Sequence, residues 1–442
     1  MTVWTPPLST QPLNAVVSLP PSKSLTARAL VLALLAKENT FITNPLRCRD
    51  TDLMIAGIQE FGASVEEKSG GLLITPPPTI SAKTGVIECG LSGTVMRFLA
   101  PIALLSGKPV HFQGDKQAST RPMRGLLDAL TQLGAKITDA PLPGHLPFTI
   151  EGALNDSTQL QQVHLDASDS SQFVSALLLV SPALPFELQI EVDSVLPSIR
   201  HVEMTLAQVN ACGGKIENIS GETGDWDSLQ TRHIWRCQPA RLSGGEQVIE
   251  PDLTNAGPFL GAALACGGQI SVPNWPAQTF QAGDAWRYLL SPMGARIYRD
   301  NEGTLICQGN GTIGGIQTDL NAIGELTPTL AALCTLAVEP SKLSGIGHLK
   351  GHETNRLHAL ETEINRLGAK AVATETSLQI TPGILHGATI ETYSDHRMTM
   401  FGALIGLRIP DVKIAGIECV TKTFPDFPAI WRAAVAGTNG VA

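Results

Sequence analysis

The sequence predicts a mixed α/β fold built as two similar domains, and three observations carry that prediction. A chain of 442 residues is too long for one ordinary hydrophobic core. A turn rich in Ser, Thr, Asp or Gly leads into an Ala/Leu-dense helical run six times, at intervals of roughly 70 to 85 residues. Between these runs lie short strand-like segments separated by turns, in a chain with 42 Gly and 30 Pro.

The first copy is Leu19–Ala36, LPPSKSLTARALVLALLA, where two prolines stop a strand-like run and Ser22, Lys23 and Ser24 open a helix. The pattern returns at Glu88–Gly107, Leu165–Val180, Glu250–Gly268, Leu320–Ala337 and Glu391–Leu407. In five copies a second helix follows, and Gly62, Gly134, Gly213 (or Gly214), Gly294 and Gly368 fit the left-handed position just past it. Leu72–Ile74, Val110–Phe112, Phe148–Ile150, Leu188–Val192, Ile270–Val272 and Leu305–Cys307 read as strands. Each unit is thus a mix of strands and two helices, and six units divide into three and three with a seam near Glu250–Asp252. Two such domains facing each other would form a cleft, where small-molecule sites preferentially occur.

Composition excludes several classes. A net charge of -9 argues against binding nucleic acid or anionic membrane through a basic surface. The eight cysteines are scattered, with no CxxC pair or zinc-type spacing, which predicts reduced, mostly buried thiols. MTVWTPPLSTQPLN lacks the basic and apolar regions of a signal peptide, and no apolar run is long enough to span a bilayer, so a cytoplasmic protein is expected.

Six copies that merely build a scaffold would explain the Ala/Leu helices but not what sits at their starts. Lys23, Ser24 and Arg28 occupy the first, Gly93, Thr94 and Arg97 the second, and Ser170, Ser171 and Gln172 the third. Glu325 takes that position in the fifth, and Asp395, His396 and Arg397 in the sixth. Unpaired N–H groups and the macrodipole make such ends receptive to anions. Arg121 before Pro122, the group His348, His352, Glu353 and Arg356, and Lys422 add further charge. Simpler readings exist for each: capping for Ser170 and Ser171, a solvated cation for Lys23 or Arg97, an i,i+3 ion pair for Glu353 and Arg356. His348 and His352 have the i,i+4 spacing of a metal pair, but no recognisable motif completes it, so no metal is assigned. Converging cations would suit substrates with several phosphate and carboxylate groups, and the two acids could carry protons.

The segments PPSKSLTARAL, GLSGTVMRFL, TRPMRGLLDAL, DSSQFVSALL, GHETNRL, YSDHRMTM and TKTFPDF resemble the signature segments of the 5-enolpyruvylshikimate-3-phosphate synthase family, over essentially the whole chain. The resemblance implies two domains of three βαβαββ units each, an inside-out barrel arrangement with the active site in the inter-domain cleft. It implies domains of residues 19–251 and of 1–18 plus 252–442. The implied reaction adds the 5-hydroxyl of shikimate 3-phosphate to C2 of phosphoenolpyruvate, protonates C3 and expels phosphate from the tetrahedral adduct. It serves the shikimate pathway to chorismate and aromatic amino acids, in a monomer needing neither metal nor organic cofactor.

Carried over by position, Lys23, Ser24, Arg28, Ser170, Ser171, Gln172 and Ser198 would hold shikimate 3-phosphate, joined by Glu325, His348 and His352. Lys23, Gly93, Arg121, Gln172, Arg356, Arg397 and Lys422 would meet phosphoenolpyruvate. Glu325 and Glu353 fall at the family's acid/base carboxylates, and Lys23 lies where it could take part in catalysis. Leu91, His201, His348, His352 and Glu325 stand where Asn, Tyr, Asn, Lys and Asp are common in the family. Two alternatives compete with this reading: a UDP-N-acetylglucosamine enolpyruvyl transferase, whose usual reactive Cys is missing from the loop Gly114–Thr120, and an inactive scaffold, which should have lost one of the charged residues that are all present.

Overall fold

The computed structural model describes residues 2–152, 154, 159–220, 232–351 and 353–437. The chain divides into two compact units, Pro21–Ile249 and Met1–Pro20 with Glu250–Ala442. Each has its own hydrophobic core.

Three open sheets make up the strands of each unit among the described residues. In the Pro21–Ile249 unit the second sheet shows the plan in one continuous segment: strand Val86–Glu88, helix Gly93–Phe98, strand Val110–Gln113, helix Arg124–Gln132, then strands Lys136–Thr138 and Phe148–Glu151. The first two strands pair in parallel and the remaining contacts are antiparallel. The segment 161–238 repeats the plan, as does 317–381 in the other unit. All six runs read as strands from the sequence lie in strands, and the five glycines expected past second helices have positive φ, with Gly213 rather than Gly214 in the third copy.

Two copies draw their first strand from elsewhere. Leu13–Val16 precedes the helix Lys23–Leu35 in sequence, yet it belongs with Glu250–Ala442 and pairs there in parallel with Gly268–Val272. Gly245–Val248 precedes the helix Gly257–Cys266, yet it pairs in parallel with Thr40–Thr43. The extreme N-terminus adds Val3–Trp4 to the last sheet, antiparallel to Lys413–Ala415. Strand propensity alone cannot foresee this, because an alternating LNAV segment fits the edge of any of these sheets.

The six repeated helices form the cores. In Lys23–Leu35 every residue from Leu25 onward is buried, and in Gly257–Cys266 every residue is. A helix apolar all round has no solvent face and must lie inside the protein. Within each unit the three such helices pack on one another.

The joint made by the N-terminal strand is sterically tight. Gly268 has φ +93°, and a Cβ there would lie 2.0 Å from the Leu13 carbonyl oxygen. Gly268→Ala should therefore destabilise the protein by more than ~2 kcal/mol and reduce hydrogen-exchange protection across residues 13–16. Unchanged urea midpoint and protection would remove this joint as a constraint.

Candidate active site

Within the Pro21–Ile249 unit, the start of Lys23–Leu35 is fixed by Ser22, whose hydroxyl accepts the Leu25 N–H at 3.4 Å. Lys23 follows as the first helical residue and its Nζ meets Asp50 Oδ2 at 3.0 Å. Asp50, itself buried, comes from the first turn of the helix Arg49–Glu60.

Arg28 is buried further along the helix and makes four hydrogen bonds. Nε donates to Thr205 Oγ1 at 2.7 Å, Nη1 to the Ser24 carbonyl at 2.9 Å, and Nη2 to the His201 carbonyl at 3.0 Å and Ser175 Oγ at 3.4 Å. The guanidinium also lies over the Phe98 ring, 5.0 Å from its centre. Every acceptor is neutral, and burial pulls the guanidinium down to about 9. A buried cation whose hydrogen-bond partners are all neutral is a place for an anion.

Arg97 and Arg121 organise the remainder of this set. Arg97 Nη1 donates to Ser170 Oγ at 3.1 Å and Gln172 Oε1 at 2.9 Å, while Nη2 reaches the Pro122 carbonyl at 3.0 Å. One guanidinium thus ties the start of helix Gln172–Val180 to the Arg-Pro turn. Arg121 Nη1 donates to the Leu91 carbonyl at 2.9 Å, and its guanidinium occupies space opened by Gly93, where a Cβ would stand 2.6 Å from Nη2. Capping does not account for Ser171, a buried residue whose side chain makes no cap bond. Ser198, also buried, has φ +52° and its carbonyl accepts the His201 N–H at the start of helix Arg200–Ala211.

In the other unit Arg356, Asp395, Glu353 and Lys422 form linked ion pairs. Arg356, first residue of the helix Arg356–Arg366, grips Asp395 with Nε at 2.7 Å and Nη2 at 3.2 Å, and Nη2 also reaches Glu353 Oε2 at 2.8 Å. Glu353 accepts from Lys422 Nζ through its other oxygen at 3.1 Å. Asp395 also caps the helix His396–Arg408, accepting the Arg397 N–H at 2.9 Å. Burial works against the Arg356 charge, but Asp395 and Glu353 raise it above its ordinary range. Arg397 is lowered by burial and then by Arg356, with Glu325, Asp252 and Asp395 opposing. Lys422 is followed by buried Phe424 and Phe427, which pack on each other and on Phe259.

Glu325 is buried at the end of a short 3-10 segment, Asn321–Leu326, directly before helix Thr327–Leu336. His348 stacks close to Gly324, where a Cβ would be 2.3 Å from its Nε2. Burial pushes the imidazole down to about 4, with Glu325 opposing and Arg356 assisting. His352 lies outside the described residues. Among the described residues, His164, Glu191 and Asp193 have metal-ligating atoms within 4.8 Å of one another. Arg232 already sits on both carboxylates there, so a guanidinium supplies the positive charge.

Comparison with known proteins identifies the family. The family model described as EPSP synthase (3-phosphoshikimate 1-carboxyvinyltransferase) matches residues 8–431. The chain belongs to the EPSP synthase family. It is 42% identical over 442 residues to the 3-phosphoshikimate 1-carboxyvinyltransferase of Bifidobacterium longum (strain DJO10A), covering 97% of each chain. It is 43% identical over 439 residues to that of Kocuria rhizophila, covering 97% of this chain and 95% of the relative. Two solved EPSP synthase structures from Acinetobacter baumannii share its fold, at 22% and 23% identity and TM-scores of 0.76 and 0.77, covering 97% and 98% of each chain.

Sequence reasoning missed three residues that support the site of this EPSP synthase-family chain. Asp50, Thr205 and Ser175 contact Lys23 or Arg28 from 27, 177 and 147 residues away, and no local pattern marks them. Asp395 was singled out only as part of a helix start, whereas it is both the cap and the counter-charge of Arg356.

His348 generates a pH prediction. Its folded-state value of about 4 lies below the ordinary 6.5, so on acidification the unfolded chain takes the proton first. Its contribution is intact above pH 6.5 and stability falls as the pH drops from there toward 4. His348→Asn should reduce the acid-side loss by up to ~3 kcal/mol relative to the unsubstituted chain, read from urea midpoints across that window. Parallel profiles for the two proteins would show that His348 is not buried in neutral form.

Proposed function

We propose that this chain transfers the enolpyruvyl group of phosphoenolpyruvate to the 5-hydroxyl of shikimate 3-phosphate and releases phosphate, a step of the shikimate pathway. Family membership over residues 8–431 sets the reaction class. The observation that most supports the substrate assignment is Arg28, a buried guanidinium whose hydrogen-bond partners are all neutral, on the same helix as Lys23. A phosphate monoester answers that charge.

In this reading Lys23, Ser24, Arg28, Ser170, Ser171, Gln172 and Ser198 hold shikimate 3-phosphate, with Glu325, His348 and His352 toward its hydroxyls. Lys23, Gly93, Arg121, Gln172, Arg356, Arg397 and Lys422 hold phosphoenolpyruvate. The chemistry needs a base for the 5-hydroxyl proton and an acid for C3, roles given to Glu325 and Glu353 with Lys23 assisting. Glu353 is aimed by its bonds to Arg356 and Lys422, so its direction is set before substrate arrives. In the second half of the reaction C3 loses a proton again as the C2–O bond to phosphate breaks. The cations stabilise the charge on the departing phosphate. The enzyme is read as a cytoplasmic monomer acting on small molecules. No helix among the described residues is long and apolar enough to cross a membrane, and all eight cysteines are free.

Phosphate release measured with phosphoenolpyruvate plus either shikimate 3-phosphate or UDP-N-acetylglucosamine tests the reading directly. Release is expected with the first acceptor only; none with shikimate 3-phosphate would overturn it. Glu353→Gln should lower kcat by about 10²- to 10⁴-fold while KM values change little. Turnover equal to the parent's would take Glu353 out of proton transfer. Lys23→Ala should weaken both substrates by calorimetry, and unchanged affinity for both would contradict its placement.

A further inference from the structure

The turn that delivers Asp395 and Arg397 is strained. Tyr393 and Ser394 both adopt left-handed conformations, with φ +54° and +58°. For non-glycine residues this region carries a steric cost at each position, and two in succession persist only where the surroundings hold them.

One side-chain contact does hold them. The Tyr393 hydroxyl donates to Glu363 Oε1 at 2.7 Å. Glu363 is completely buried on helix Arg356–Arg366, seven residues after Arg356, and its other oxygen pairs with Arg366 at 3.2 Å. Seven residues are about two helical turns, roughly 10 Å, and return to nearly the same face. The turn is therefore fastened to one helix face at two points, Asp395 on Arg356 and Tyr393 on Glu363. Burial and the bond to Glu363 push the phenol up to about 12, so it stays a donor through neutral pH.

We propose that Tyr393 and Glu363 act as a positioning clamp that keeps the 393–395 turn in its left-handed conformation, and through it aims the Arg356 guanidinium and Arg397 at phosphoenolpyruvate. Neither clamp residue touches substrate. Without the clamp the turn relaxes, Asp395 shifts, and the two arginines lose their common reference. The inference rests on the reading of Arg356 and Arg397 as phosphoenolpyruvate ligands.

Steady-state kinetics on the full chain test it. Tyr393→Phe keeps the ring and removes only the donor; the KM for phosphoenolpyruvate should rise about tenfold, while that for shikimate 3-phosphate stays within about twofold. Adding Ser394→Gly, which removes the strain at that position, should restore most of the affinity. Glu363→Gln keeps an acceptor and should stay close to the parent, whereas Glu363→Leu should reproduce Tyr393→Phe and be rescued by the same glycine. If Tyr393→Phe does not accumulate as folded protein, the Glu363→Leu pair carries the test. An unchanged KM for phosphoenolpyruvate in either folded variant, an equal rise for both substrates, or no rescue by Ser394→Gly would overturn the clamp. Arg397→Ala separates the two readings: an unchanged KM for phosphoenolpyruvate there defeats the ligand assignment itself, while a large rise there with none in Tyr393→Phe defeats only the clamp.

Discussion

A helix buried on every side offers chemistry mainly toward its start, and that constraint shapes both units. Lys23–Leu35 and Gly257–Cys266 spend most of their lengths on core packing, and the one buried charge within them, Arg28, is accommodated by four hydrogen bonds. The N-terminal ends also have N–H groups that need partners. Caps such as Ser22 and Asp395 satisfy these groups, and the residues next to the caps are where Lys23 and Arg397 appear. Core and part of the candidate site thus come from the same segments, while Arg121, Glu353, Arg356 and Lys422 come from outside them.

The two units treat their buried cations differently, and the difference has physical content. Arg356 is neutralised inside its own unit by Asp395 and Glu353, the arrangement that makes a buried ion tolerable. Such a guanidinium can orient a ligand through its remaining capacity but adds less net charge. Arg28 is solvated only by hydroxyls and carbonyls, which leaves its full charge in a poorly screened setting. The cation without an internal counter-ion should therefore contribute more to holding an anion, and the paired one more to geometry.

Much of the fold was legible because the hydrophobic period, the capping residues and the post-helix glycines all act locally. The repeat count and most element positions followed from them. The exchanged first strands did not, since the partner of Leu13–Val16 is set by the distant backbone at Gly268 rather than by its own residues. The site shows the same division. Lys23, Arg28, Glu353 and Arg356 stood out by type and place, while Asp50, Thr205 and Glu363 act only through folding from afar. Glu363 reads as an ordinary helical glutamate in sequence, and only its complete burial distinguishes it.

The departures from the family's common residues divide by which atoms do the work. Leu91 and His201 contribute backbone carbonyls, to Arg121 and Arg28 respectively, and a carbonyl is unaffected by the side chain attached to it. Substitution at those two places can leave the arginines where they are. Glu325 and His348 differ in kind, because there the side chains themselves interact electrostatically, and Gly324 gives the imidazole its space. A longer acid beside a larger, neutral ring is a coupled change: the ring keeps its donor and acceptor without bringing a second positive charge beside Arg356. The electrostatic surroundings of the imidazole therefore depend on both residues together.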